Sequence, residues 1–102
     1  MPNEMSALPV PEISLYTRPG CGLCEEARAT LHGILEDRAA RGDAIATVTE
    51  IDITTDSDLE ARFFDVIPVV EIGDRRLDLA ISPAKLRRFI ADAFEAATHR
   101  IA

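Results

Sequence analysis

Cys21 and Cys24 are the only two cysteines of the chain, set in the stretch Tyr16-Thr17-Arg18-Pro19-Gly20-Cys21-Gly22-Leu23-Cys24-Glu25-Glu26. A Cys-x-x-Cys pair can do reversible disulfide chemistry, ligate a metal or staple a fold. Its setting points to the first. The run Ile13-Ser14-Leu15-Tyr16-Thr17 reads as a strand ending at the turn signal Pro19-Gly20, and a helical pattern opens at the cysteines. The first amides of a helix have no partner within it, and the macrodipole puts partial positive charge there. A Cys21 thiolate gains from both, so its pKa is expected below the ordinary value of about 8.5. Cys24 follows one turn deeper on the same face, within the ~4.4–6.8 Å Cα span of a disulfide. Cys21 is the expected nucleophile and Cys24 the resolving thiol.

The competing uses fit less well. A loop this short constrains the unfolded chain by only about 2 kcal/mol on the loop-entropy model, too little to justify a staple. Structural zinc needs four ligands, and the pair offers two. The only histidines are His32, two turns beyond Cys24, and His99, near the C-terminus. No metal site is expected. Arg18, three residues before Cys21, is a candidate substrate-binding residue, placed to steady the thiolate or to hold a substrate carboxylate. Glu25 and Glu26 suit a helix start but oppose ionisation at Cys21. Tyr16 reads as core.

These residues must be positioned by a small domain. The chain has 102 residues, 47% of them hydrophobic, enough for one core. Eighteen acidic against eleven basic residues give a net charge of −7, which excludes a nucleic-acid surface. No apolar run is long enough to cross a bilayer, and nothing reads as a secretory signal, so a reducing, cytoplasmic setting is expected. Residues 1–11, with three prolines, read as a flexible extension before a domain over 12–102.

Along that domain, Ala27, Leu31, Ile34 and Leu35 predict a helix from Cys21 or Gly22 to about Arg41, stopped at Gly42-Asp43. Gly33 inside it suggests a close contact. Ile45 to Ile53 reads as a strand parallel to the first. Ser57-Asp58-Leu59-Glu60 matches a capping box and starts a short helix through Phe64. Ile67 to Ile72, the turn Gly73-Asp74 and Arg75 to Leu79 form a hairpin. Ser82-Pro83 opens a final helix with Leu86, Phe89, Ile90, Ala93, Phe94 and Ala97 on its apolar face. The order is βαβαββα, an α/β fold with a four-stranded mixed sheet and three helices.

That order, with Cys-x-x-Cys opening the first helix and Ile-Pro opening the third strand, resembles the thioredoxin fold. Leu-Tyr-Thr-Arg-Pro-Gly-Cys-Gly-Leu-Cys-Glu-Glu-Ala and Val-Ile-Pro-Val-Val-Glu-Ile-Gly are similar to a glutaredoxin-like family of small bacterial proteins. The resemblance implies that Cys21 is the nucleophile and Cys24 the resolving thiol. It also implies a cis Ile67–Pro68 bond beside the sulfurs, with the Ile67 backbone left to pair with an extended substrate. Two features depart from glutaredoxins: Gly22-Leu23 replaces Pro-Tyr between the cysteines, and Asp78-Leu79-Ala80-Ile81 carries no Gly-Gly for a glutathione backbone. The expected function is thiol–disulfide oxidoreduction of protein or mixed disulfides, recycled by a reductase or glutathione, with no bound cofactor. The alternative is an iron–sulfur carrier using Cys21 across a dimer.

Overall fold

The computed structural model describes residues 12–101, with side chains through Ala96. The N-terminal extension over 1–11 lies outside the described residues, as do the side chains of Ala97 and His99. The elements are β1 (Ile13–Thr17), α1 (Gly22–Ala40), β2 (Val48–Asp52), a 3-10 turn (Ile53–Thr55), α2 (Ser57–Phe63), β3 (Val69–Ile72), β4 (Arg75–Leu77) and α3 (Pro83–Ile101). The sheet order is β2-β1-β3-β4. β2 runs parallel to β1, while β3 and β4 are antiparallel to their neighbours.

Alternation along the strands divides the core in two. Ile13, Leu15, Val70 and Ile72 pack with Leu31 and Leu35 of α1 and with Leu86, Ile90 and Phe94 of α3. Tyr16 and Val69 face the other way and pack with Phe63 of α2, together with Cys24, Ile53 and Ile67. The second sulfur of the pair is therefore part of the smaller core.

The helix ends follow from local chemistry. Gly42 takes φ +81°, its N–H donates to Ala39 O at 3.0 Å, and Asp43 N–H donates to Arg38 O at 2.8 Å. That pair of bonds is a Schellman stop, which needs a left-handed residue just past the helix. Ser82 Oγ accepts from Lys85 N–H at 3.2 Å, so α3 begins where Ser-Pro places it.

Several boundaries differ from the sequence reading. β2 starts at Val48 because β1 starts at Ile13, its register partner, and Ile45 is left half-exposed in the preceding loop. β3 starts after Pro68, whose nitrogen has no hydrogen for a ladder. β4 ends at Leu77, where the chain bends. The cap of α2 is Asp56 rather than Ser57: its Oδ1 accepts from Asp58 N–H at 2.8 Å and Leu59 N–H at 3.4 Å. The carboxylate is also the better charge for that end. A Cβ on Gly33 would meet nothing within 4 Å, so no close contact explains it.

The two helix glycines have opposite expected effects. Gly42→Ala must keep a left-handed φ and should lower the unfolding free energy by about 1 kcal/mol. Gly33→Ala, in a helix interior with room for the methyl group, should raise it by about 0.5–1 kcal/mol. Paired urea titrations read both; a destabilising Gly33→Ala would contradict the open surroundings.

Candidate functional site

The site begins where β1 ends. Beyond Thr17 the chain turns through Arg18-Pro19-Gly20, with Gly20 at φ +72°, and enters α1 at Cys21. Cys21 is the N-cap, in extended backbone (φ −97°, ψ 105°), and its Sγ accepts from Cys24 N–H at 3.1 Å. Sulfur thus takes the place that Ser, Thr, Asp or Asn usually fill at a helix start. Cys21 and Cys24 are joined by a disulfide, with their Cα atoms 5.2 Å apart. The two sulfurs differ in access. Cys21 is partly exposed, whereas Cys24 is 1% exposed.

The start of β3 closes one side. The Ile67–Pro68 peptide is cis, Pro68 is buried, and Ile67 shares the smaller core with Cys24 and, at its edge, Cys21. The structure therefore brings together Cys21, Cys24, Ile67 and Pro68. The Ile67 backbone is only half available, which corrects the expectation of a free pairing edge. Its N–H donates to Phe63 O at 3.1 Å, because the chain leaving α2 continues in a tight turn. The Ile67 carbonyl accepts no hydrogen bond among the described residues.

The other side is polar. A cleft of about 230 Å³ lies between Cys21, the Arg18–Gly20 turn, Arg28 of α1, and Glu50 and Asp52 of β2. Arg18 is exposed there and makes no ion pair among the described residues. Arg28 grips Glu50 with both ends of its guanidinium, Nε to Oε1 at 2.7 Å and a terminal nitrogen to Oε2. Thr17 Oγ1 donates to the same Oε2 at 2.9 Å. The Arg28 bonds, with help from Thr17, hold the Glu50 carboxyl below its ordinary pKa of 4.5 against the opposing effect of burial. Asp52 is occupied as cap of the 3-10 turn, accepting from Thr54 N–H at 2.9 Å.

Sequence reasoning missed the Thr17–Glu50–Arg28 group. Its only signal is that Glu50 and Asp52 are alternate residues of one strand; the register that sets Leu15 opposite Glu50 and Thr17 opposite Asp52 is not in the local sequence. Tyr16 is core, 8% exposed, with its ring 4.6 Å from that of Phe63. Its hydroxyl donates to Glu71 Oε1 at 2.9 Å, and burial, then Glu71, pushes its pKa up. His32 is exposed on α1. Among the described residues no group of three or more His, Cys, Asp or Glu is placed to hold a metal ion. Iron–sulfur clusters are held chiefly by Cys thiolates. Cys24 is buried, so each chain presents one accessible sulfur, that of Cys21. Among the described residues no helix is long and apolar enough to cross a membrane.

Comparison with known proteins gives one family. A family model described as Glutaredoxin-like domain (DUF836) matches residues 12–91. No curated protein matches the chain. Among solved structures, protein XcR50 from X. campestris is 26% identical with a TM-score of 0.62, covering 78% of this chain and 96% of its own. The germline-specific thioredoxin Deadhead from Drosophila melanogaster is 21% identical with a TM-score of 0.58, covering 88% of each chain. A malarial protein is 13% identical with a TM-score of 0.60, covering 83% of this chain and 98% of its own. The last two are likenesses of fold and nothing finer.

The Glu50 group predicts a pH effect on stability. Its folded pKa lies below the unfolded value of 4.5, so its contribution is complete above that value and is lost as pH falls through the folded one. Glu50→Gln should therefore be less stable than the wild type at neutral pH, and the gap should close as pH falls through the folded value of Glu50. Chemical denaturation across that range checks this; a gap independent of pH would contradict it.

Proposed function

The chain belongs to the glutaredoxin-like domain family, and from that premise we propose that it is a thiol–disulfide oxidoreductase acting on protein or mixed disulfides. The observation that carries the reading is the unequal placing of the two sulfurs: Cys21 partly exposed on the helix cap, Cys24 buried one turn behind it. In the reduced protein a Cys21 thiolate is a stronger acceptor for Cys24 N–H than the neutral thiol, and the helix start favours the negative charge. Both effects raise the thiolate fraction that attacks.

The reaction is two exchanges. Cys21 thiolate attacks one sulfur of the substrate disulfide; a Cys21–substrate S–S bond forms, the substrate S–S bond breaks, and the other substrate sulfur leaves as thiolate. Cys24 thiolate then attacks Cys21 Sγ, forming the internal disulfide and releasing the second substrate thiolate. The substrate gains two electrons and the pair loses two. An external dithiol reductase or glutathione returns them. Arg18, with no ion pair among the described residues, is the residue proposed to meet a substrate carboxylate, and the Ile67 carbonyl beside Pro68 to accept from a substrate amide. A reducing compartment such as the cytoplasm suits the cycle, and no bound cofactor is required.

The first test is the reduction potential of the pair, by equilibration in graded thiol buffers and alkylation. A value within about −270 to −120 mV, the span of exchange catalysts, supports turnover, and one below about −300 mV marks a structural bridge and sinks the proposal. Two variants separate the roles. Cys24→Ser should complete the first exchange and accumulate a covalent adduct on Cys21, visible by mass spectrometry. Cys21→Ser should form none, and an adduct on Cys24 in that variant would reverse the assignment.

A further inference from the structure

The cleft beside Cys21 is lined by more negative than positive groups. Arg18 comes from the turn, Glu25 and Arg28 from α1, and Glu50 and Asp52 from β2: three carboxylates against two guanidinium groups. On its other side Cys21 packs on the apolar cluster around Phe63, whose titratable members are Cys24 and Tyr16, and the Tyr16 hydroxyl is spent on Glu71. Negative charge nearby opposes ionisation of a thiol. Left to act, the carboxylates of the cleft would undo what the helix start supplies.

The structure treats these carboxylates unequally. Asp52 Oδ1 accepts from both the N–H and the hydroxyl of Thr54, at 2.9 and 2.7 Å, which orients it without adding charge. Glu50 is met by a cation: Arg28 donates to both of its oxygens, while the buried Thr17 at the end of β1 donates to Oε2. Arg28 also stands three residues from Glu25 on α1, a spacing at which helix side chains are neighbours. Its bonds to Glu50 first, and the charge of Glu25 after them, push its pKa up against the opposing effect of desolvation. One guanidinium thus serves two of the three carboxylates, with a fork that lysine does not have. As a brace the ion pair is weak, because both side chains are more than a third exposed. What it controls is the charge of a wall shared with Cys21.

We propose that Arg28 is a positioning residue of the exchange site: by holding Glu50 in a forked ion pair it cancels the charge of the β2 wall beside Cys21, and so sets how much of Cys21 is thiolate. The proposal rests on the exchange reaction above and names what tunes its nucleophile. The covalent step is unchanged. The Cys21 thiol gives its proton to solvent, the thiolate bonds one substrate sulfur, and the other substrate sulfur leaves as thiolate.

The test reads the pH dependence of Cys21 alkylation by iodoacetamide in a Cys24→Ser background, where Cys21 is the only thiol. Arg28→Ala leaves Glu50 unopposed and should lower the thiolate fraction, at a pH below the Cys21 pKa, by about threefold, the scale of one uncompensated charge in solvated surroundings. Glu50→Gln leaves Arg28 unopposed and should raise that fraction by a similar factor. The double variant should return close to the parent. Arg28→Lys, which keeps the charge and loses the fork, should fall between the parent and Arg28→Ala. In about 1 M salt, where the screening length is about 3 Å, each difference should shrink. A profile unmoved by Arg28→Ala, single variants that shift it the same way, or shifts undiminished by salt overturn the role of Arg28 and leave the exchange reaction standing. A Cys21 that alkylates but is inert to hydroxyethyl disulfide overturns the exchange reading, and the role of Arg28 with it.

Discussion

The site depends on how α1 begins. A helix start leaves its first amides without partners, and here the partner of the Cys24 amide is the Cys21 sulfur, 3.1 Å away. One hydrogen bond thus joins a structural need to a chemical one. A disulfide sulfur is a weak acceptor and a thiolate a strong one. Reduction and ionisation of Cys21 improve the cap, so the helix start favours the reactive form. The cap also fixes the direction of α1, which carries Cys24 into the cluster of Tyr16, Phe63, Ile67 and Val69. One sulfur is left partly exposed and the other is buried in the smaller core.

The two flanks of Cys21 differ in kind. Toward β2 they are charged, with Glu50 neutralised by Arg28 and steadied by Thr17. Both side chains of that ion pair are more than a third exposed, so its contribution to stability is small. Its local effect is to cancel a carboxylate that would otherwise oppose thiolate formation nearby. Arg18, which makes no ion pair among the described residues, lines the same cleft. Toward β3 the flank is apolar and its main-chain groups are mostly satisfied, with the Ile67 carbonyl the exception.

What the sequence disclosed follows how local each cause is. The cysteine pair at a strand–helix junction, Gly42 as helix stop and Ser82-Pro83 as helix start are set by neighbours within a few residues, and all are legible. So is the apolar stripe of Ala27, Leu31, Ile34 and Leu35, all buried. The cap of α2 is missed by one residue because Asp56 and Ser57 are both good caps, and only the incoming chain direction chooses between them. Glu50 is illegible because its partners come from β1 and α1. Leu79 is illegible for a stronger reason: Asp-Leu-Ala carries no signal for positive φ, which leucine avoids. Its conformation is imposed by bonds from Leu79 and Ala80 to Val66 and Pro68, across the sheet's end, and by the burial of Ala80.

The topology explains why these separate segments meet. β2 runs parallel to β1, so both finish at the same end of the sheet, with Thr17 opposite Asp52. β3 is antiparallel to β1, so it begins at that end, with Val69 opposite Tyr16. β4 is antiparallel to β3 and finishes there too, with Leu77 opposite Val70. The ends of β1, β2 and β4 and the start of β3 therefore share one edge. Residues just outside the strands on that edge are Arg18 to Cys21, the Asp52-capped turn, Ile67–Pro68 and Asp78–Leu79. They have no ladder partners, so they are free to take the turns, the cis bond and the positive φ that a regular strand forbids. The four-stranded core fixes where these segments lie, and the irregular residues at its end are the ones set around the Cys21–Cys24 pair.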